Sequence, residues 1–141
     1  MADKMNCNFN KENMVIMKPK KFNRFNAFIP VKDIRQTLDY YRDALGFYDE
    51  WIMGTDGGVR RDDMQVIFCQ EPGYIKQIND GTYRLVLFWF VDNVDEIYRE
   101  FTDDRKLQIV DDLATRPWGM REFSIYDING YLIRISEETG E

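Results

Sequence analysis

The sequence predicts an α+β domain made of two tandem βαβββ modules, each a strand, a helix and three further strands. Two helix caps carry that expectation. Asp33 and Asn93 stand 60 residues apart, with Gln36 and Glu96 three residues after them, the spacing of a capping box. The stretches around the caps repeat as well, since Val31-Lys32-Asp33-Ile34 is echoed by Val91-Asp92-Asn93-Val94. At 141 residues the chain has the length of one domain, enough to bury a core without a disulfide or metal staple. The modules are expected at about 23–73 and 82–138 within a single domain over 23–141, behind a flexible or docking N-terminal arm over 1–22.

Taken in order, Phe25 to Val31 predicts the first strand, ended by Pro30 and Lys32-Asp33. Ile34, Leu38, Tyr41 and Leu45 follow at helical spacing, and Gly46 stands where a left-handed stop is needed. Phe47 to Met53 predicts a strand and Gly54-Thr55-Asp56-Gly57-Gly58 a turn. Val59 to Arg61 and Met64 to Gln70 predict a short hairpin about Asp62-Asp63, broken off at Glu71-Pro72-Gly73. In the second half the unbroken apolar run Leu85 to Val91 predicts a strand buried on both faces. Val94, Ile97, Tyr98 and Phe101 supply the stripe of the next helix, and Leu107 to Val110 predicts a strand. Arg116-Pro117-Trp118-Gly119 then turns the chain. Glu122 to Tyr126 and Tyr131 to Ser136 predict a hairpin through Asp127-Ile128-Asn129-Gly130.

Composition excludes several function classes. The sequence has no histidine, which removes a Ser-His-Asp triad, a Cys-His pair and every His-containing metal site. A net charge of −6 argues against a nucleic-acid partner, whose phosphates need a basic face, and weakly favours a neutral or cationic ligand. No apolar run reaches the ~18 residues of a membrane span. Two cysteines, Cys7 and Cys69, cannot make a disulfide framework, and the patch Met14 to Met17 is too short for a signal-peptide core, so a cytoplasmic protein is expected. Aromatic residues make up 15% of the chain, leaving material for a stacking pocket beyond the core.

Pro30-Val31-Lys32-Asp33 with Leu38-Asp39-Tyr40-Tyr41-Arg42-Asp43-Ala44-Leu45-Gly46-Phe47 resembles the opening of the vicinal oxygen chelate superfamily. That superfamily includes glyoxalases, extradiol dioxygenases, fosfomycin-modifying enzymes and bleomycin resistance proteins. Pro117-Trp118-Gly119-Met120-Arg121-Glu122-Phe123 and Asp127-Ile128-Asn129-Gly130-Tyr131 resemble its closing hairpin, so the likeness runs over about residues 25–138. Gly58-Val59-Arg60-Arg61-Asp62-Asp63-Met64 and Phe88-Trp89-Phe90-Val91 are most similar to the bleomycin resistance branch. The resemblance implies the glyoxalase/bleomycin resistance fold, with curled sheets around a cleft, and a homodimer, with or without an exchange of modules or arms through which each cleft would draw on both chains.

The superfamily's enzymes hold a divalent metal with His, Gln or Glu. Carried over by motif position, the ligand positions fall on Asn26, Val86 and Arg134. Valine has no donor atom, an arginine repels a cation, and one asparagine is a weak neutral ligand. The resemblance therefore points to a metal-independent binder with no cofactor. On the strand Leu85 to Val91, strand alternation puts Val86, Phe88 and Phe90 on one face, which the resemblance turns toward the cleft. Trp89 is expected in the core. Trp51, Phe88, Phe90 and Trp118 are the expected stacking residues, and Glu50 with Asp49, Asp62 and Asp63 the expected acidic flank for a cationic drug. Arg134 is expected either to favour an anionic group or to pair with Glu122. The expected function is sequestration of a bleomycin-like ligand in antibiotic resistance. The alternatives are a diverged glyoxalase-type lyase or isomerase using Glu122 or Tyr126, and a binding or sensor module for an anionic metabolite.

Overall fold

The computed structural model describes residues 21–78 and 85–140. The expected arm over 1–22 lies outside these residues except for Lys21 and Phe22, and so does Cys7. The first module runs β1 (Phe28–Val31), α1 (Ile34–Asp43), β2 (Tyr48–Met53), β3 (Asp56–Arg61), β4 (Met64–Gln70) and a short α2 (Pro72–Ile78). The second runs β5 (Val86–Phe90), α3 (Val94–Arg99) with a π-helical extension over Glu100–Asp104, β6 (Asp111–Arg116), β7 (Met120–Tyr126) and β8 (Leu132–Glu138). Each module makes its own four-stranded mixed sheet, ordered β1-β4-β3-β2 and β5-β8-β7-β6. The first strand of each module pairs parallel with its last strand, and the other pairings are antiparallel. This is the α+β fold with duplicated βαβββ modules.

Both caps form as their spacing predicts. The Asp33 carboxylate accepts from the Gln36 backbone N–H at 2.8 Å, and the Asn93 side chain accepts from that of Glu96 at 3.4 Å. Helix α1 unwinds at Gly46, whose φ of +78° is the left-handed stop. There the Gly46 and Phe47 amides return to the carbonyls of Arg42 and Tyr41.

Four expectations need correction. The first strand starts at Phe28, three residues later than its apolar pattern suggests. The stretch from Asp56 to Gly58 is strand rather than turn, because Gly57 and Gly58 are places where neighbouring side chains crowd the backbone. Leu107 to Val110 is irregular, and the sixth strand is the more polar Asp111–Arg116. Finally, β5 is not buried on both faces: Trp89 packs in the core, while Phe88 and Phe90 are exposed.

Trp89 sits between the modules, its ring 5.4 Å from Phe47 and 6.0 Å from Tyr41. The β7–β8 turn plugs the second module into α1. Tyr41 donates its hydroxyl proton to Asp127 Oδ2 at 2.8 Å, and Asp127 Oδ1 accepts from the Asn129 and Tyr131 amides at 2.9 Å each. Asn129 accepts from the Lys32 amide and donates to Thr37, and the Tyr131 hydroxyl bonds the Pro30 carbonyl. At the other end of the junction Arg61 on β3 reaches Glu100 through two bonds of 2.7 and 2.8 Å, and Arg105 joins the same carboxylate at 2.7 Å.

Candidate functional site

Each sheet has one face against helices and one open face. On the second sheet Phe123, Ile125, Ile133 and Ile135 are buried, with Phe123 set edge-on to Tyr98 and Phe101 of the helical segment. Alternation then puts Val86, Phe88 and Phe90 of β5 on the other side, level with Leu132, Arg134 and Ser136 of β8. Phe88 is 50% exposed, Phe90 60%, and Trp118, in the β6–β7 turn, 63%. These are large apolar rings left in water.

Polar groups are set into the same face. Glu122 is only 3% exposed. It accepts from the Ser136 hydroxyl at 2.9 Å and has the Arg116 guanidinium at 4.0 Å. Arg134 lies between Phe88 and Ser124 across the strands, its guanidinium carbon 5.2 Å from the centre of the Phe88 ring. The expected Arg134–Glu122 pair does not form, because Ser136 and Arg116 already satisfy that carboxylate.

On the first sheet Trp51, Gly58, Ile67 and Phe28 form one cross-strand row on the open face. A β-carbon on Gly58 would lie 2.5 Å from the indole nitrogen of Trp51, so glycine leaves the space that lets the ring lie over β3. A groove of about 280 Å³ runs where β1 and β4 meet β5, lined by Asn26, Ile67, Val86 and Phe88 among others. Thus Asn26 and Phe88 come together, Arg134 joins them through Phe88, and Phe90 and Trp118 lie on the second sheet. Trp51 lies on the other sheet.

Glu50 is not part of this arrangement. It is held by Arg35 at 2.7 Å and lies 3.8 Å from Arg42, both on α1, so the acidic flank expected from it is spent on the helix. Phe28, Ser124 and Ser136 were not singled out by sequence. The readable signal was alternation: Phe28 and Pro30 against Ile29 and Val31, and serines interleaved with Phe123, Ile125 and Ile135.

The metal positions implied by the superfamily, Asn26, Val86 and Arg134, offer one neutral oxygen, no donor and a cation. This donor set does not fit a divalent metal. Among the described residues no cluster of three or more metal-binding side chains occurs elsewhere.

Residues 25–139 match the glyoxalase-like domain. The chain belongs to the glyoxalase-like domain family. Its fold is shared with a bleomycin resistance determinant encoded on the transposon Tn5, at a TM-score of 0.69 and 19% identity over 83% of this chain and 98% of that one. A bleomycin-binding protein complexed with bleomycin superposes with a TM-score of 0.68 at 18% identity, over 83% and 99% of the two chains. TioX from Micromonospora sp. ML1 does so at 0.61 and 18%, over 82% and 95%. No curated protein matches the sequence. Among the described residues no helix is long and apolar enough to cross a membrane.

Proposed function

We propose that this protein binds a small planar molecule on the open sheet faces and acts by sequestration, without metal and without changing its ligand. The observation that supports this most directly is the exposed Phe88 ring, which lines a groove of about 280 Å³, with Phe90 and Trp118 also exposed on the second sheet. Exposed aromatic rings next to a concavity are the usual material of ligand pockets. The donor set at the superfamily's metal positions leaves stacking and polar contacts as the means of holding a ligand. Homodimerisation belongs to the same reading: a second copy would cover the open faces and bring Trp51 of one sheet opposite rings of another, so that each cleft draws on both chains. The bleomycin-binding relative makes that drug the first compound to try.

The experiment is a tryptophan-emission titration of metal-stripped protein, first with metal-free bleomycin and then with a panel of fused-ring aromatics, with recovery of the ligand afterwards. Saturable change that weakens in Trp118→Ala, with the ligand recovered intact, supports sequestration. Turnover of the ligand, or no response and no rise in melting temperature with any compound, overturns it.

A further inference from the structure

We infer that the ligand held on this face is a planar anion, an aromatic ring system bearing a carboxylate or sulfonate, and that Arg134 recognises its charge. The inference rests on the ligand-binding reading above and adds to it the ligand's chemical class. Arg134 lies at the middle of the open face, with Phe88 on one neighbouring strand and Ser124 on the other. Half-buried, it makes no ion pair among the described residues.

The absence of a partner is notable in a chain with 25 acidic and 19 basic side chains. Three carboxylates of the two sheets are engaged elsewhere. Glu122 is bonded to Ser136 and faces Arg116, Glu50 on β2 is held by Arg35 of α1, and Glu137 accepts from the Val94 amide at the start of α3. A guanidinium flanked by Phe88, Val86 and Leu132 has lost part of its water without gaining an anion, and the ring beneath it offsets only part of that loss. Its planar fork of N–H donors matches a carboxylate or sulfonate through two parallel bonds. The adjoining groove, at about 280 Å³, sits near the lower limit of pockets for drug-sized ligands, about 300 Å³. It suits a fragment of one or two fused rings. Together these select a small aromatic acid over the cationic drug that the acidic composition favours.

The test is calorimetric titration of the intact protein with three probes of one shape: 2-naphthoate, 2-naphthamide and the 2-naphthylmethylammonium ion. The carboxylate is expected to bind about tenfold or more tightly than the amide, as for a charge-assisted bond replacing a neutral one. Arg134→Gln is expected to bring the carboxylate down to the amide's affinity, and Arg134→Lys to restore part of the difference. Melting curves of both variants separate this from misfolding. Equal affinity for carboxylate and amide, or preference for the ammonium probe, overturns the anion class while the binding reading stands. Failure of all three probes to bind at millimolar concentration overturns the anion class alone if a compound of the fused-ring panel binds, and overturns both readings if none does.

Discussion

Asp127 shows what burial does to a carboxylate that the fold still needs. Removal from water pushes its pKa up to about 6, while the bonds from Tyr41 and from the Tyr131, Asn129 and Gly130 amides pull the other way without prevailing. Because the folded state holds this proton more tightly than the unfolded chain does, stability is lost as pH rises from the ordinary value of 3.8 through about 6. Asp127→Asn removes that dependence. Urea unfolding at pH 4 and pH 7 is therefore expected to show the variant gaining on the native protein by up to roughly 3 kcal/mol across the interval. A difference that stays constant with pH would rule out Asp127 as its source. Gly58 is the residue-scale counterpart on the first sheet. Gly58→Val forces the Trp51 indole off β3, an overpacking cost of about 1–3 kcal/mol, and is expected to shift tryptophan emission to the red. An unchanged emission maximum would mean that the indole keeps its place. The site itself was only partly legible at this scale. Phe88 and Phe90 could be placed on one face from alternation, but their exposure could not, since an apolar run reads the same whether a helix or solvent covers it. Glu50 misled because strand alternation next to Trp51 sends it to Arg35, and nothing local marks that helix as its partner.

At the level of elements, the two module ends are joined by different chemistry. One is a hydrogen-bonded plug, the β7–β8 turn in α1. The other is an ionic clasp, in which Arg61 of β3 and Arg105 share Glu100 of the π-helical segment. The Arg61 and Arg105 contacts hold Glu100 below its ordinary 4.5 against the opposing effect of burial. A carboxyl lowered in the folded state adds stability above that value and loses it as pH falls, the opposite sign to Asp127. Glu100→Gln is expected to cost about 1–2 kcal/mol at pH 7, between the surface and buried limits for such pairs. That cost should shrink as pH falls below 4.5, as read by thermal melting in dilute buffer. A cost that does not change with pH would mean that the clasp acts through packing rather than charge. The duplicated plan was readable because the caps, the Gly46 stop and the final hairpin each rest on a local rule. The strand β6 was not, since Asp111 and Asp112 begin it at a sheet edge where only one side needs to be apolar. Leu107 and Ile109, which look like a strand, pack against the core without joining a ladder.

For the whole molecule, the central question is what covers the two open faces. Phe28 on the first sheet, 58% exposed, and Phe88, Phe90 and Trp118 on the second make more uncovered aromatic surface than a solitary small domain usually tolerates. The outer strands β2 and β6 and the strands β1 and β5 also leave sheet edges that need protection. A second copy related by a two-fold axis would answer both needs with one contact, because each copy supplies the same patch. Sedimentation at about 10 µM is then expected to give twice the chain mass of 16.9 kDa. Phe28→Glu and Trp118→Glu should move the population toward single chains by placing charges in an apolar contact, whereas Arg35→Glu, on the far side of the first sheet, should not. Ligand affinity should fall together with the dimer in the first two variants, since the proposed cleft is incomplete in one chain. A single-chain mass that persists at ten times that concentration, with ligand binding intact, would show that one copy's open face is the complete site.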